Sequence, residues 1–543
     1  MITEIRRRLA ALAATSWKER AALLKGIFGP LGFAAASALI LLARIPYGFE
    51  TNDQFQYLLL PYREIYTPFL TGDWFTWHTS HYHLSFSVFI RLLHWAFGES
   101  GFPVAVFTAH VLVLATLGYS LLRSARAAQL HWTAALFALL TVAFVRIHGV
   151  GGAILNHGVL LPADMALPFL MLGFAMWIEK SPIKAGIFLG LSGLIHANFA
   201  VLGPLVIAAP ELYRLYKERT LAPTLKLTGG FAALAWPSLI SAAMGFFTSD
   251  TAPEALNILF DIRSPHHYRP PLFDSPELLW PAALLLLSIP TWLECRRRGN
   301  GRAIAVLFAL IGTLAVGVLA VEVLDNRLII RLFLWRMSVP LILFAALGVG
   351  ESLARAVRRP VSWAPVAAVL SIVTVLCFTE GGPVFAPNRR LDISRISASM
   401  TKVGFPDATR VRGIHRASAL YSWIQKHTPE DALFLVPPGM DDFRLQARRG
   451  IFVDWKCCPM KGEEIAEWAR RMNAVMGTKT MPAAGYALHR VAMNRYTHRS
   501  LDALAALARR EGLGYIIAKR VPKTPSDLEK LISKSGWAVY RVR

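Results

Sequence analysis

Two carboxylates, Glu50 and Asp53, stand in the stretch Gly48-Phe49-Glu50-Thr51-Asn52-Asp53, directly after an apolar run at 26–47. A carboxylate beside a membrane-length apolar segment is costly unless it is solvated, paired or used. Asp53 is therefore a candidate to deprotonate an attacking hydroxyl or to hold a divalent cation, with Glu50 one turn away on the same helix face as an auxiliary group. The competing reading is that the pair only caps a helix over 54–66. Further along, His78, His81 and His83 alternate with Trp74, Phe75 and Trp77. His81 and His83 reach one metal only from extended backbone, and with Asp53 they are the candidate ligands for a possible Mg or Mn ion. The aromatics equally suit anchoring at the headgroup level.

A second cluster reads Asp261-Ile262-Arg263-Ser264-Pro265-His266-His267-Tyr268-Arg269-Pro270. Arg263, His266, His267 and Tyr268 make a donor-rich, cationic surface suited to gripping a phosphate or pyrophosphate, against the alternative of an ordinary basic interfacial loop. Third, Asp325-Asn326-Arg327 opens a span, LIIRLFLWRM, that puts Arg327 and Arg331 on one helix face with Arg336 deeper or nearby. An intramembrane arginine is expensive and marks a site by default; its partner is a lipid phosphate or an acid such as Glu322 or Asp325, or else it is a structural ion pair of the bundle. Asn156, His157 and Asp164, and His196 with Asn198, add polar groups at the same membrane face, where they line a pocket or serve as satisfied core polars.

Positioning these groups is the task of a membrane protein. Of 543 residues 54% are hydrophobic and 17% charged, with a mean hydropathy of +0.42, which excludes a water-soluble globule. The net charge of +23 fits basic membrane-flanking loops and not a nucleic-acid partner. Apolar runs at 26–47, 102–122, 132–146, 158–178, 183–197, 199–212, 226–247, 277–294, 302–324, 328–349 and 361–379 predict about eleven spans. The segment 84–98 carries Arg91 and His94 and reads as an amphipathic helix lying in the interface, because only then do all strongly basic loops fall on one side. This topology makes the N-terminus cytoplasmic and places the loops 48–101 and 248–276 outside. From 383 to 543 the pattern turns to alternating helix and strand, predicting a soluble extracytoplasmic α/β domain with a mostly parallel sheet, after a membrane domain over 1–382. Strands are expected at 432–436, 450–454, 514–518 and 537–541, and helices at 417–426, 462–475, 501–511 and 525–533. Residues 380–543 hold 28 Lys and Arg against 15 Asp and Glu, a net of +13, so anionic headgroups or an anionic acceptor are expected neighbours. Four cysteines make neither a disulfide framework nor a zinc site, and no nucleotide-binding loop can be placed.

With this layout the chain resembles the GT-C superfamily of polytopic, lipid-sugar-dependent glycosyltransferases, which includes protein mannosyltransferases, aminoarabinose transferases and oligosaccharyltransferase catalytic subunits. The resemblance is carried by Glu50 and Asp53, the helix after His81-Tyr82-His83, the Ile195-His196-Ala197-Asn198 hairpin, the Arg331 span, and Trp423 with Thr428-Pro429-Glu430-Asp431-Ala432. It implies an integral enzyme of a bacterial inner membrane, acting in the cell envelope through its periplasmic face. It also implies a polyprenyl-phosphate-linked sugar donor, a glycan, lipid or protein acceptor, and a first-loop carboxylate as base or metal ligand. Carried over, Asp53 becomes the base, and Arg263, His266, His267 and Arg331 become phosphate contacts. The first loop departs from the pattern: Glu50 and Asp53 are spaced ExxD, with no adjacent Asp-Glu pair and no DxD. The alternative is a transporter, or a lipid-handling or polysaccharide-assembly protein, that binds an anionic headgroup without glycosyl transfer.

Overall fold

The computed structural model describes residues 17–81, 83–144, 148–154, 157–247, 253–358, 418–519 and 525–543. The expected span at 361–379, the domain boundary near 382, Tyr82 and Asn156 lie outside the described residues.

Among the described residues five helices are long and apolar enough to cross a membrane: Leu84–Ala127, Ala197–Glu218, Glu277–Arg297, Gly301–Val323 and Leu334–Arg355. Four shorter apolar ones, Gly29–Arg44, Trp132–Ala143, Pro162–Ile178 and Pro182–Ile195, pack with them. Leu121, Phe174, Leu202 and Phe344 close a shared apolar core between these helices. Small residues let two helices touch backbone to backbone: a Cβ on Gly186 would lie 2.1 Å from the Leu227 carbonyl oxygen.

The basic loops do gather at one end of the bundle. Arg123 pairs with Glu179, and Arg302 reaches both Glu218 and the Trp177 carbonyl. Arg214 binds Glu211 and Glu218, and the His131 amide donates to Glu351. Residues 84–98 form a helical arm set off from the following span at Gly98, whose φ of 64° breaks the helix. The arm buries Phe86 and Ile90 and exposes Leu84, Val88, Leu92 and Trp95 as an apolar stripe, as a helix lying against lipid must.

Polar residues sit where helices end: the two runs expected at 183–197 and 199–212 meet at a polar residue, and the run expected to be continuous at 328–349 is broken. The Pro182–Ile195 and Ala197–Glu218 helices meet at His196, in extended backbone. The run expected at 328–349 is a short helix, Arg327–Arg331, then a left-handed Phe333 (φ 50°), a 3₁₀ turn Leu334–Met337, and only then the helix Ser338–Arg358. The Asn198 amide donates to the Leu332 carbonyl at 3.0 Å, satisfying a backbone group that the break frees. A two-stranded pair, β1 His148–Gly149 with β2 Ala153–Ile154, turns through Gly151 and Gly152.

The C-terminal domain carries β3 Leu433–Leu435, β4 Gly450–Ile451, β5 Tyr515–Lys519, β6 Leu528–Lys534 and β7 Trp537–Val542, in the order β4-β3-β5-β7-β6. β3 runs parallel to β4 and β5, whereas β7 is antiparallel to both β5 and β6. The sheet is therefore mixed, and the helix expected at 525–533 is the strand β6. Ser535 (φ 54°) and Gly536 (φ 82°) form a two-residue turn with both central residues left-handed, which closes a hairpin and fixes 528–534 as its first arm. The helices Ser418–His427, Gly462–Met476 and Leu501–Arg510 fall where the periodicity puts them; Gly485–His498 is additional.

A buried salt-bridge triad fastens this domain to the first long loop. Arg444 donates from Nε to Asp73 Oδ2 and from Nη1 to Asp454 Oδ2, both at 2.8 Å, with all three side chains at most 2% exposed. Asp73 also caps the Trp74–His78 helix and accepts the Ile451 amide.

Candidate active site

Asp53 occupies the position before the Gln54–Tyr57 helix but makes no side-chain capping bond. Its carboxylate turns instead to the Lys456 ammonium, which the C-terminal domain presents in the loop after β4. On the other side, His157 Nε2 stands 4.0 Å from Asp53 Oδ2, while its Nδ1 donates to Asp164 Oδ1 at 3.0 Å. Asp164, in the first turn of the Pro162–Ile178 helix, thus orients the imidazole so that Nε2 faces Asp53. The row Asp164, His157, Asp53, Lys456 alternates in charge. Burial opposes ionisation of Asp53, but Lys456, with His157 and His267 behind it, outweighs burial and holds the carboxyl below the usual aspartate range. Burial likewise opposes a charge on His157 and on Lys456. Asp164 and Asp53 raise the imidazole, and Asp53 raises the ammonium. Asp53 keeps 31% of its side chain accessible, so a ligand hydroxyl can reach it.

His267 completes this wall. Its Nδ1 lies 2.8 Å from the Gly151 carbonyl, which only accepts, so Nδ1 carries the proton and Nε2 bears the lone pair. Burial pushes its pKa down to about 4. The close approach needs glycine: Gly151 has φ +69°, and a Cβ there would sit 2.9 Å from the His267 carbonyl oxygen.

Below these groups lies Arg336, delivered by the 3₁₀ turn after the break at Phe333. Its guanidinium rests 5.1 Å from the Phe333 ring centroid, and its Nε is buried with no hydrogen-bond partner. It lies within electrostatic reach of Tyr57, His83, His157, His196, His267 and Tyr268. His83 and His196 face each other with ring centroids 4.4 Å apart, and Nδ1 of each is buried without a partner. Burial and Arg336 push His83 down to about 3, so its imidazole is neutral. An arginine without a carboxylate partner among the described residues, with the neutral imidazoles of His83 and His267 and phenols around it, is complementary to an anion. Beside Asp164 an apolar groove of about 170 Å³ opens between the Leu84–Ala127 and Pro162–Ile178 helices, lined by Phe89, Leu112, Val113, Met165 and Phe169.

Other expected residues sit elsewhere. Glu50 does not share a helix face with Asp53, because Glu50 (φ 50°) and Asn52 (φ 56°) turn left-handed between them. Its carboxylate accepts from Tyr62 Oη at 2.8 Å and from Gln446 at 3.2 Å, and pairs with Arg448 at 3.3 Å, a strut between the first loop and the C-terminal domain. Arg263 lies 4.1 Å over the Trp455 ring and donates to the Trp455 carbonyl at 3.1 Å, so it holds the turn that carries Lys456. His266 stacks on Tyr486 at 4.3 Å. Arg327 binds Asp325 and Asp261, with Glu322 exposed, and Arg331 lies near Tyr268. His81 Nε2 faces the Thr76 carbonyl at 2.9 Å, so His81, His83 and Asp53 do not converge. No three metal-ligating side chains gather among the described residues.

The site thus belongs to a polytopic helical bundle completed by an α/β domain. A family described as "Domain of unknown function (DUF6798)" matches residues 416–475, the part that carries Arg444, Asp454 and Lys456. No curated protein matches. Among solved structures, the chain is similar to the Archaeoglobus fulgidus oligosaccharyltransferase tethered to an acceptor peptide (13% identity, 91% of this chain and 70% of that one, TM-score 0.48). It is similar also to ArnT from Cupriavidus metallidurans bound to undecaprenyl phosphate (12%, 95% and 98%, TM-score 0.48). A third is the A. fulgidus oligosaccharyltransferase AglB in complex with an inhibitory peptide and a dolichol-phosphate (13%, 93% and 70%, TM-score 0.46).

Proposed function

We propose that this chain is an integral membrane glycosyltransferase of GT-C type, which moves a sugar from a polyprenyl-phosphate-linked donor to an acceptor at the extracytoplasmic side. The observation that carries this reading is Arg336, a half-buried guanidinium whose Nε is buried without a partner, facing the neutral His83 and His267 imidazoles and phenols beside the Asp53–Lys456 pair. The donor phosphate sits on Arg336, with Tyr268 and the His83 and His196 nitrogens as further hydrogen-bonding groups, and the isoprenoid chain follows the apolar groove beside Asp164. As the glycosidic bond breaks, negative charge grows on the leaving phosphate, and donors already fixed in place stabilise it with little reorganisation. The acceptor hydroxyl attacks the anomeric carbon and gives its proton to Asp53. A carboxyl held below its ordinary range is a weak base, so it takes the proton only as the new bond forms, when the hydroxyl has become acidic. Protonation of Asp53 releases Lys456 from its pair and frees the ammonium for the departing phosphate. Glu50 is engaged elsewhere, so one carboxylate serves a single displacement with inversion.

The test is sugar transfer by the purified chain in lipid nanodiscs, with a polyprenyl-phosphate sugar as donor. Asp53→Asn should fold and bind donor but transfer nothing; transfer at the unaltered rate removes the assignment. The Asp53–Lys456 pairing also suits a lipid-handling protein that grips a headgroup without chemistry. Donor binding with no sugar released or transferred by the unaltered chain would favour that second reading.

A further inference from the structure

Three polar atoms at the junction of the two parts are buried with no hydrogen-bond partner and take no part in the steps above: Asp441 Oδ1, His489 Nε2 and His266 Nδ1. An unpaired buried polar atom is destabilising, and three near one place mark a ligand that is absent. They share a neighbourhood. Arg263 is within electrostatic reach of Asp441, His489 and His266. The His489 ring lies 5.7 Å from Trp455, and His266 stacks on Tyr486, whose ring is 60% exposed.

The topology points to the same place. From β3 the chain crosses to β4 on one side, and from β4 it crosses back over β3 to β5 on the other, with all three strands parallel. Ligands of such sheets bind outside the carboxyl ends of the strands, where the winding reverses. Asp441 lies in the loop after β3, and Trp455 and Lys456 lie in the loop after β4.

We propose that Asp441, His489 and His266, with the exposed ring of Tyr486, form a subsite for a neutral, hydroxyl-rich acceptor, that is, an uncharged glycan. The proposal rests on the glycosyl-transfer reading for the word acceptor, but the binding itself does not. The Arg263 guanidinium is spent on the Trp455 carbonyl and the Ser264 hydroxyl, so it is not offered to an anionic ligand. A cationic ligand would meet Arg263 and Lys456. A hydroxyl both donates and accepts, which matches an imidazole and a carboxyl that do the same. Burial, His267 and Arg263 push His266 down to about 3, and burial foremost lowers His489, so both rings are neutral. Burial, with Asp454 nearby, pushes Asp441 up to about 7, so that it can donate a proton to a ligand oxygen. Flat aromatic faces cover the C–H side of a sugar ring. Lys456 is within reach of both Asp441 and Asp53, so a glycan held here brings a hydroxyl toward Asp53.

The full chain in nanodiscs, with no donor present, is passed over an array of neutral oligosaccharides, acidic oligosaccharides and Ser/Thr-containing peptides. Retention of neutral glycans is expected, weakened roughly ten- to a hundredfold in Asp441→Ala and in His489→Ala. Tyr486→Ala removes an exposed ring, leaves folding intact, and should weaken retention several-fold. The proposal is overturned if no neutral glycan is retained, if the three variants retain them equally, or if acidic glycans or peptides are retained instead. No turnover is read, so Asp53→Asn transfer assays fail or succeed independently of this result.

Discussion

Replacing Arg336 by Met separates a ligand-binding arginine from a structural one. Methionine keeps much of the volume and removes the charge. In the folded protein Arg336 makes no ion pair among the described residues, and its Nε has no partner. The substitution therefore strands no carboxylate. A buried pair broken by removing one member costs about 3–5 kcal/mol; removing a half-buried charge that has no carboxylate partner carries no such cost and relieves part of a desolvation penalty. Melting in the same nanodiscs should be unchanged or raised. Binding behaves oppositely, because a hydrogen bond to a charged phosphate is worth about 1.5–3 kcal/mol, or roughly ten- to a hundredfold in donor affinity. Initial rates against donor concentration should show kcat/KM reduced by that factor. Arg336→Lys, which keeps the charge but loses the planar fork, should fall between. The reasoning is refuted if donor dependence is unchanged in Arg336→Met, or if melting drops as it does when a buried ion pair is broken.

Lys456→Met should move the acid limb of kcat/KM upward in pH. Asp53 is held below the ordinary value of about 3.9 by Lys456 and so stays ionised until pH falls through that depressed value; without the ammonium, burial is less opposed. An unmoved limb would mean that another group sets it. Arg444→Met breaks the Asp73–Arg444–Asp454 triad and should cost about 3–5 kcal/mol, read as lower melting and as faster proteolysis at the junction of the two parts. Gly151→Ala forces a Cβ to within 2.9 Å of the His267 carbonyl at a left-handed φ, so melting should fall by the equivalent of about 1–3 kcal/mol and transfer with it; wild-type behaviour would show that the hairpin yields freely.

The part of this site visible in the sequence is the part whose polarity conflicts with its surroundings. Asp53, His157 and His196 stand out because each interrupts or borders an apolar run, where an idle polar group is expensive, and His267 because it belongs to the clustered Arg, His and Tyr of 261–270. Arg336 reads as one of three arginines in a continuous span. Only the break at Phe333 separates it from Arg327, which turns away to Asp261 and Asp325. Lys456 carries no local signal: it sits in a basic domain, and its partner is brought to it by folding across 403 residues, the gap from 53 to 456. The same limit governs Glu50 and Arg263, whose partners Arg448 and Trp455 lie 398 and 192 residues away in the chain. In the sheet, residues 528–534 are rich in Leu, Lys and Glu, good helix formers, and the Ser535-Gly536 turn overrides that preference.

The charge arrangement has its own logic. Several cations facing one another would repel in a site of low dielectric and would hold an expelled phosphate too tightly to release it. Among the described residues the Arg336 guanidinium has no carboxylate partner and stands near His83 and His267, whose imidazoles burial keeps neutral, while in the proposed mechanism Lys456 is masked by Asp53 until a proton arrives. In the proposed mechanism positive charge is then uncovered at the moment when the leaving phosphate becomes more negative, so that it would strengthen the transition state more than the bound donor. The masking depends on the C-terminal domain, because Lys456 and Asp454, a member of the triad, lie in one loop. Loosening that domain through Arg444 should therefore lower kcat more than it raises the donor KM. An isolated fall in donor affinity would instead mean that Lys456 only binds.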